Sequence, residues 1–176
     1  MPSSDRPVFS RRHLFRALLG RDIPPAGTAD RQSAAAPHAT GDAAYAAGDF
    51  PAAVAAYRAS VRHDLSNAAV RARLGYALYA TGQTIQARVE FEHAVRLTEG
   101  KDVLASLGLA LTLLRLGKSS RAGQVLAAFA DAERPELTAL AVATAAALAA
   151  AGEPVATEEH IRALEDQARA AGLFPA

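Results

Sequence analysis

Large apolar residues recur along most of the chain at spacings of three and four residues, which is the period of a helix with one buried face. The clearest run covers residues 71–94. In this run Leu78 comes before Gly82, and Phe91 comes after it. Because glycine ends helices readily, the run predicts two helices that fold back on each other. One such pair cannot bury its apolar faces alone, so the chain should contain further copies.

The same pattern recurs around three other glycines, Gly48, Gly117 and Gly152. Together with Gly82 they lie 34, 35 and 35 residues apart along the chain. Gly48, Gly82 and Gly117 are each followed after five residues by an alanine and after nine by a large apolar residue. These pairs are Ala53 and Tyr57, Ala87 and Phe91, and Ala122 and Leu126. Such a fixed period predicts a helix–turn–helix unit that occurs four times.

This pattern resembles the tetratricopeptide repeat family, whose unit is a helix–turn–helix of 34 residues. The copy most similar to the family spans residues 68–102. It departs from the family where Arg71 stands in place of a tryptophan, and where Glu99 and Gly100 stand in place of a proline. Its matching positions are Leu74, Gly75, Leu78, Gly82, Ala87, Phe91 and Ala94. The small residues Gly75 and Ala87 are expected where the two helices touch.

The resemblance covers residues 34–176 and implies an all-α fold. In that fold, antiparallel helix hairpins stack into a right-handed superhelix, an α-solenoid. The four expected repeats are residues 34–67, 68–102, 103–136 and 137–171. Candidate caps are Thr40 and Asp42 in the first repeat, Ser66 or Asn67 for the next helix, and Asp102 for the first helix of the third repeat. The second helix of the third repeat should run from Ser120 to about Ala132, and Pro135 should end that repeat.

The last helix should cap the stack, with one apolar, buried side and one charged, solvated side. The apolar side is formed by Val155, Ile161, Leu164 and Ala168, and the charged side by Glu158, Glu159, Arg162, Glu165, Asp166 and Arg169.

A basic arm, residues 1–20, precedes the repeats. It contains the sequence Ser-Arg-Arg-His-Leu-Phe-Arg, which resembles the twin-arginine export motif. Export needs an apolar stretch of about 7–15 residues, and here Gly20 and Arg21 interrupt the apolar run early. We therefore expect a cytoplasmic protein, with export or membrane association through the arm as the alternative.

The arm also has the pattern of a short amphipathic helix, which is too short to be stable alone. It would dock on the groove of its own domain, on a partner or on an anionic membrane surface; a disordered tail is the remaining alternative. The docking residues would be Arg11, Arg12, Leu14, Phe15, Leu18 and Leu19. Residues 21–37 are rich in proline and small polar residues and predict a flexible linker to the repeat domain, residues 38–176.

Charge is divided unevenly along the chain. The net charge of the 176 residues is +1, but residues 1–33 contain six arginines and three aspartates, which leaves −2 for residues 34–176. A mildly acidic repeat domain opposes the phosphate attraction that dominates nucleic-acid binding. We therefore expect no nucleic-acid partner, although repeats of 35 residues also occur in RNA-binding helical proteins.

Candidate chemistry is sparse. The chain has no cysteine, and none of its five histidines has another histidine three or four residues away. Gly117, Lys118 and Ser119 imitate the end of a phosphate-binding loop, but the glycine that such a loop needs five residues earlier is Thr112. We therefore expect no metal, no cofactor and no enzymatic activity.

The family resemblance implies that the first helix of each repeat lines a concave groove that binds a partner. The groove positions are Asp42, Tyr45, Arg73, Tyr76, Tyr79, Leu104, Leu107, Leu111, Leu114 and Arg115. Such a groove would take an apolar helix or extended segment, with the arginines pairing an acidic flank. In the alternative interpretation, several of these leucines pack internally and partly fill the groove.

The function expected from these observations is that of a non-catalytic protein–protein interaction adaptor or scaffold. Assembly or maturation of a larger complex, in the manner of a chaperone, is one setting for it. The alternatives are a scaffold tethered to a membrane surface by the basic arm, and an RNA-binding helical repeat.

Overall fold

The computed structural model describes residues 38–151 and 157–175, and all regular structure in these ranges is α-helical. The prediction of an all-α fold is therefore confirmed for this part of the chain. The helices are α1 (Ala39–Ala46), α2 (Phe50–His63), α3 (Ala68–Ala80), α4 (Thr84–Leu97), α5 (Val103–Arg115), α6 (Ser119–Ala127), α7 (Pro135–Ala151) and α8 (Thr157–Ala170). The predicted arm and linker, residues 1–37, and the predicted turn at Gly152 lie outside the described residues.

Three of the predicted turns are confirmed by their backbone conformation. Gly48, Gly82 and Gly117 have φ angles of 73°, 75° and 68°, which are strained for any residue with a Cβ atom. At Gly82 the helix end is closed by two hydrogen bonds, from the N–H of Gly82 to the carbonyl of Tyr79 and from that of Gln83 to the carbonyl of Leu78. This arrangement satisfies carbonyl groups that the end of a helix leaves unpaired.

Glycines also allow helices to approach each other closely. A Cβ atom on Gly75 would lie 2.8 Å from the ring of Phe91, and one on Gly41 would lie 2.6 Å from the ring of Tyr57. Gly108, which belongs to α5, also lies close to the ring of Phe91. The prediction that Gly75 lies at a helix–helix contact is therefore confirmed.

Side-chain caps begin α3 and α5, the first helices of the second and third predicted repeats, as expected. Asn67 accepts a hydrogen bond from the N–H of Val70, and Asp102 accepts one from the N–H of Ala105. The expectation that Thr40 or Asp42 caps α1 is wrong, because α1 begins after His38 without a side-chain cap.

The boundary between the third and fourth repeats also differs from the prediction. Helix α6 ends at Ala127 and not near Ala132, and Pro135 begins α7 where it was expected to close the third repeat. Proline suits the first turn of a helix, since no hydrogen bond from its nitrogen is needed there. In the connector, the carboxylate of Asp131 accepts hydrogen bonds from the N–H of Glu133 and from Arg134.

Arg71, which stands where the tetratricopeptide repeat pattern has a tryptophan, is buried at 7% exposure. Its guanidinium donates to the carbonyl of Leu65 at 2.8 Å and to the carboxylate of Glu90 at 2.6 Å. The pair joins α3 to α4 and gives the buried charge both a counter-ion and a hydrogen-bond acceptor.

Each helix packs against the next one along the chain, and two contacts skip over helices: α3 packs on α5, and α8 packs on α5. Helix α5 is consequently enclosed on several sides and supplies much of the core, with Leu107, Leu111 and Leu113 at most 1% exposed. Among the helices described, none is long and apolar enough to cross a membrane.

Candidate functional site

An open cleft of about 380 Å³ lies among the ends of α2, α3, α5 and α8. We call it the tyrosine cleft. Three of the predicted groove residues line it: Tyr76 and Tyr79 from α3, and Arg115 from the last turn of α5. The other residues that line it are Phe50, Ala80, Gly82, Thr84, Glu165, Arg169 and Pro175.

Aromatic rings line the tyrosine cleft, and further rings pack against them outside its lining. Tyr76 is at the centre, with its ring centroid 5.6 Å from that of Tyr45, 5.7 Å from that of Phe50 and 4.6 Å from that of Phe174. These tilted and edge-to-face arrangements are the ones that aromatic pairs prefer. All four tyrosines of the chain belong to this cluster, because Tyr57 packs on Tyr45 and Tyr79 packs on Tyr76.

Charged groups form one wall of the cleft. The hydroxyl of Tyr79 donates a hydrogen bond to the carboxylate of Glu165 and accepts one from the Nε of Arg115. Arg115 also donates to Glu165 at 2.9 Å, and its guanidinium lies 4.9 Å from the centroid of the Tyr79 ring. Arg169 pairs with the other carboxylate oxygen of Glu165 at 3.3 Å. The wall is thus a connected network that holds α8 against α3 and α5.

The environment shifts the pKa values of Tyr79 and Glu165 in opposite directions. Burial raises the pKa of the Tyr79 hydroxyl, and its hydrogen bond to the Glu165 carboxylate raises the pKa further. Burial alone would raise the pKa of Glu165, but the hydrogen bonds from Tyr79 and Arg115 outweigh it and hold that pKa below its ordinary value of 4.5. The site therefore keeps a carboxylate and a neutral phenol side by side.

The predicted residues Asp42 and Arg73 meet each other next to the aromatic cluster. The Asp42 carboxylate accepts hydrogen bonds from the hydroxyl of Tyr57 at 2.7 Å and from Arg73 at 2.9 Å, which links α1 to α2 and α3. Tyr45 packs beside them, and its hydroxyl is buried without a hydrogen-bond partner among the described residues. These three predicted residues support the rim of the cluster; they are not among those that line the tyrosine cleft.

The predicted leucines do not line an open groove, and this expectation is corrected. Leu107, Leu111 and Leu114 are 0%, 0% and 1% exposed, and Leu104 is partly buried against the same core. The reason is that α5 packs against α3, α4, α6 and α8, so its apolar surface is covered. The alternative interpretation, in which these leucines pack internally, agrees with their burial.

Several residues of the tyrosine cleft were missed by sequence reasoning. Glu165 was expected on the solvated side of the last helix, yet it is 9% exposed and bonded across the cleft. Phe174 and Pro175 follow α8 and return to the cleft after a glycine turn at Gly172, whose φ is 68°. A Gly-Leu-Phe sequence after an amphipathic helix was the available signal, since glycine ends helices readily and two large apolar residues follow it.

A second cleft, of about 630 Å³, lies between α6 and α7. Its lining is apolar and built from small residues, and Val142 at its edge is 47% exposed. The lining residues are Ser119, Ser120, Gly123, Gln124, Ala127, Val142, Ala145, Ala146, Leu148 and Ala149. The docking residues of the predicted arm, Arg11 to Leu19, lie outside the described part of the chain.

Within residues 38–151 and 157–175, no group of three histidine, aspartate or glutamate side chains is placed to hold a metal ion. No protein-family model matches the chain, and no curated protein is significantly similar to it in sequence. The similarity to tetratricopeptide repeats therefore remains a prediction from the repeat pattern, and the function has to be argued from the tyrosine cleft.

Proposed function

We propose that the chain is a non-catalytic adaptor of the tetratricopeptide-repeat type, and that its tyrosine cleft binds a segment of a partner protein. The observation that carries the proposal is the convergence of aromatic rings and arginines at one open cleft. Tyr76 and Tyr79 form the floor, and Arg115 and Arg169 stand beside them. Tyrosine and arginine are the side chains that most often dominate the energy of protein interfaces.

The two arginines retain access to solvent although they are paired. The side chains of Arg115 and Arg169 are 39% and 41% exposed, whereas that of Glu165 between them is 12% exposed. A carboxylate of a ligand can therefore reach the guanidinium groups without breaking the network. The cleft volume suits a few side chains of a bound segment better than a folded domain.

The setting proposed for this adaptor is the cytoplasm, in the assembly or maturation of a larger complex. A scaffold held at a membrane surface by the basic arm, residues 1–20, is the alternative. RNA binding is less favoured, because residues 34–176 have a net charge of −2 and the cleft contains a glutamate that is ionised at neutral pH.

The test compares two charge reversals in α8. Arg169→Glu changes a residue of the cleft, and Arg162→Glu makes the same change two turns earlier, at an exposed side chain that does not line the cleft. Proteins captured by the full chain are purified, and their binding to wild type and to both variants is measured by calorimetry. We expect Arg169→Glu to weaken binding at least about tenfold and Arg162→Glu to change it about twofold at most. Equal effects of the two variants would contradict the proposal.

A further inference from the structure

The last residues described lie beside the tyrosine cleft: Pro175 lines it, and Phe174 packs on Tyr76, which also lines it. Helix α8 ends in a glycine turn: the N–H of Gly172 donates to the carbonyl of Arg169 at 3.0 Å, and that of Leu173 donates to the carbonyl of Ala168 at 2.9 Å. After this turn Leu173 packs against the core, Phe174 packs on Tyr76 of α3, and Pro175 reaches the cleft. We call these three residues the tail.

Phe174 fills an aromatic position in the cluster. It is 4% exposed, its ring centroid lies 4.6 Å from that of Tyr76, and the following Pro175 lines the remaining opening of the cleft. The tail therefore adds a ring to an aromatic cluster whose other rings come from α1, α2 and α3.

The tail is held in the cleft by side chains. The N–H groups of Leu173 and Phe174 both donate to the carbonyl of Ala168, which belongs to α8 itself. No backbone hydrogen bond between the tail and α3 occurs among the described residues. Rotation of the backbone at Leu173 lets Phe174 leave Tyr76. It breaks the 3.3 Å hydrogen bond from the N–H of Phe174, while the hydrogen bonds from the N–H groups of Gly172 and Leu173 that end α8 remain in place. An external side chain can then take its position.

We infer that Phe174 occupies the subsite for an aromatic side chain of the partner, and that the partner's segment carries a carboxylate next to that side chain. The inference rests on the proposed function and specifies the ligand of the same cleft. The aromatic preference follows from the ring of Tyr76, which already accepts a phenylalanine. The carboxylate follows from the charged residues that line the cleft, among which Arg115 and Arg169 outnumber Glu165. A second carboxylate, that of Asp166, pairs with Arg169 at 3.0 Å from outside the lining.

The tail then acts as an internal competitor. A partner reaches the subsite only in the fraction of molecules whose tail has left it, and its apparent affinity is reduced by that fraction. The partner therefore binds the full chain more weakly than it would bind a cleft without the tail. Because the partner's aromatic side chain replaces Phe174, binding of the partner is coupled to release of the tail.

The probe is the peptide acetyl-Asp-Leu-Phe-Pro-amide, titrated into the full chain. The protein contains four tyrosines and no tryptophan, and all four tyrosines belong to the aromatic cluster, so tyrosine fluorescence reports on the site. The variants are Phe174→Ala, which empties the subsite, and Phe174→Leu, which keeps an apolar side chain there. Phe129→Ala is the matched control, because Phe129 is also 4% exposed but lies after α6, outside the cleft.

We expect the peptide to bind Phe174→Ala at least about tenfold more tightly than wild type or Phe129→Ala, with Phe174→Leu between them. A peptide with alanine in place of phenylalanine should not bind, and one with lysine in place of aspartate should bind more weakly. The inference is overturned if the peptide binds wild type as tightly as the variants. It is also overturned if the peptide binds no variant that circular dichroism shows to be folded, and Phe174→Leu supplies this test if Phe174→Ala does not fold.

A purified partner separates this inference from the proposed function. If Arg169→Glu abolishes partner binding and Phe174→Ala strengthens it, both hold. If Arg169→Glu abolishes binding but Phe174→Ala leaves the affinity unchanged, the adaptor function holds and the tail is not a competitor. If neither variant changes the affinity, the partner binds elsewhere and the proposed function fails with it.

Discussion

The hydroxyl of Tyr79 in α3 donates a hydrogen bond to the carboxylate of Glu165 in α8, across 86 positions of the sequence. Arg115 of α5 contacts both groups, so three helices from different parts of the chain meet at one carboxylate. This relationship makes the last helix part of the candidate site, although its sequence was that of a solvated cap.

The contact between Tyr79 and Glu165 should stabilise the fold, so the effects of substituting the two residues should not be additive. Tyr79→Phe should lower the free energy of unfolding by about 1 kcal/mol, and Glu165→Gln by about 1 to 3 kcal/mol because two arginines lose a charged acceptor. Urea denaturation of wild type, the two single variants and the double variant gives four free energies of unfolding, which form a double-mutant cycle. We expect a coupling energy of about 0.5 kcal/mol or more. Strictly additive effects would show that the two side chains do not interact.

The carboxylate of Glu165 should also make stability depend on acidic pH. Its pKa in the folded chain lies below the ordinary value of 4.5, so its contribution is fully present above that value and is lost as the pH falls through the lower, folded pKa. The stability difference between wild type and Glu165→Gln should therefore be constant at neutral pH and narrow in acid. A difference that widens on acidification would contradict this assignment.

The tyrosines should limit stability at alkaline pH. Burial raises the pKa of all four above the ordinary value of 10.0, so the folded state keeps them protonated. Their contribution is fully present below pH 10 and is lost as the pH rises through the folded pKa values. Absorbance of tyrosinate should therefore increase together with the loss of helical circular dichroism. Ionisation near pH 10 in a chain that stays fully helical would show that the cluster is open to solvent.

The contact between Gly75 and Phe91 predicts a compensating pair of substitutions. Gly75→Ala places a methyl group against the Phe91 ring and should destabilise the fold by about 1 to 3 kcal/mol. Phe91→Leu makes room at the same place, so the double variant should be more stable than the sum of the two single effects predicts. Thermal unfolding of the three variants measures this, and an additive result would mean that the helices separate instead.

The buried leucines predict loss of the fold, not loss of a partner alone. Leu111→Glu places an ionisable carboxyl at a position that is 0% exposed, and we expect the helical circular dichroism and the cooperative transition to disappear. Val142→Glu is the control, since Val142 is 47% exposed and the change should cost about 1 kcal/mol at most. A helical, cooperatively folded Leu111→Glu protein would restore the interpretation that this leucine lines a groove.

The features that could be predicted from sequence depend on short stretches of chain. The turns at Gly48, Gly82 and Gly117, the caps at Asn67 and Asp102, and the all-α fold class follow from local backbone and hydrogen-bond chemistry. The repeat period then placed Gly75 at a helix contact, because a repeated hairpin must bury the same face each time.

Only the tertiary structure decided which apolar and charged residues reach the cleft. The pattern of α5 marks Leu107 and Leu111 as apolar, but whether they are covered depends on α8, which packs on α5 after more than 40 intervening residues. Likewise, Glu165 has the sequence context of a surface residue and becomes buried because Tyr79 and Arg115 provide its partners. Helical periodicity shows which residues of a helix share one face. Which neighbouring helix covers that face depends on packing between segments that are far apart in the sequence, so a local pattern does not reveal it.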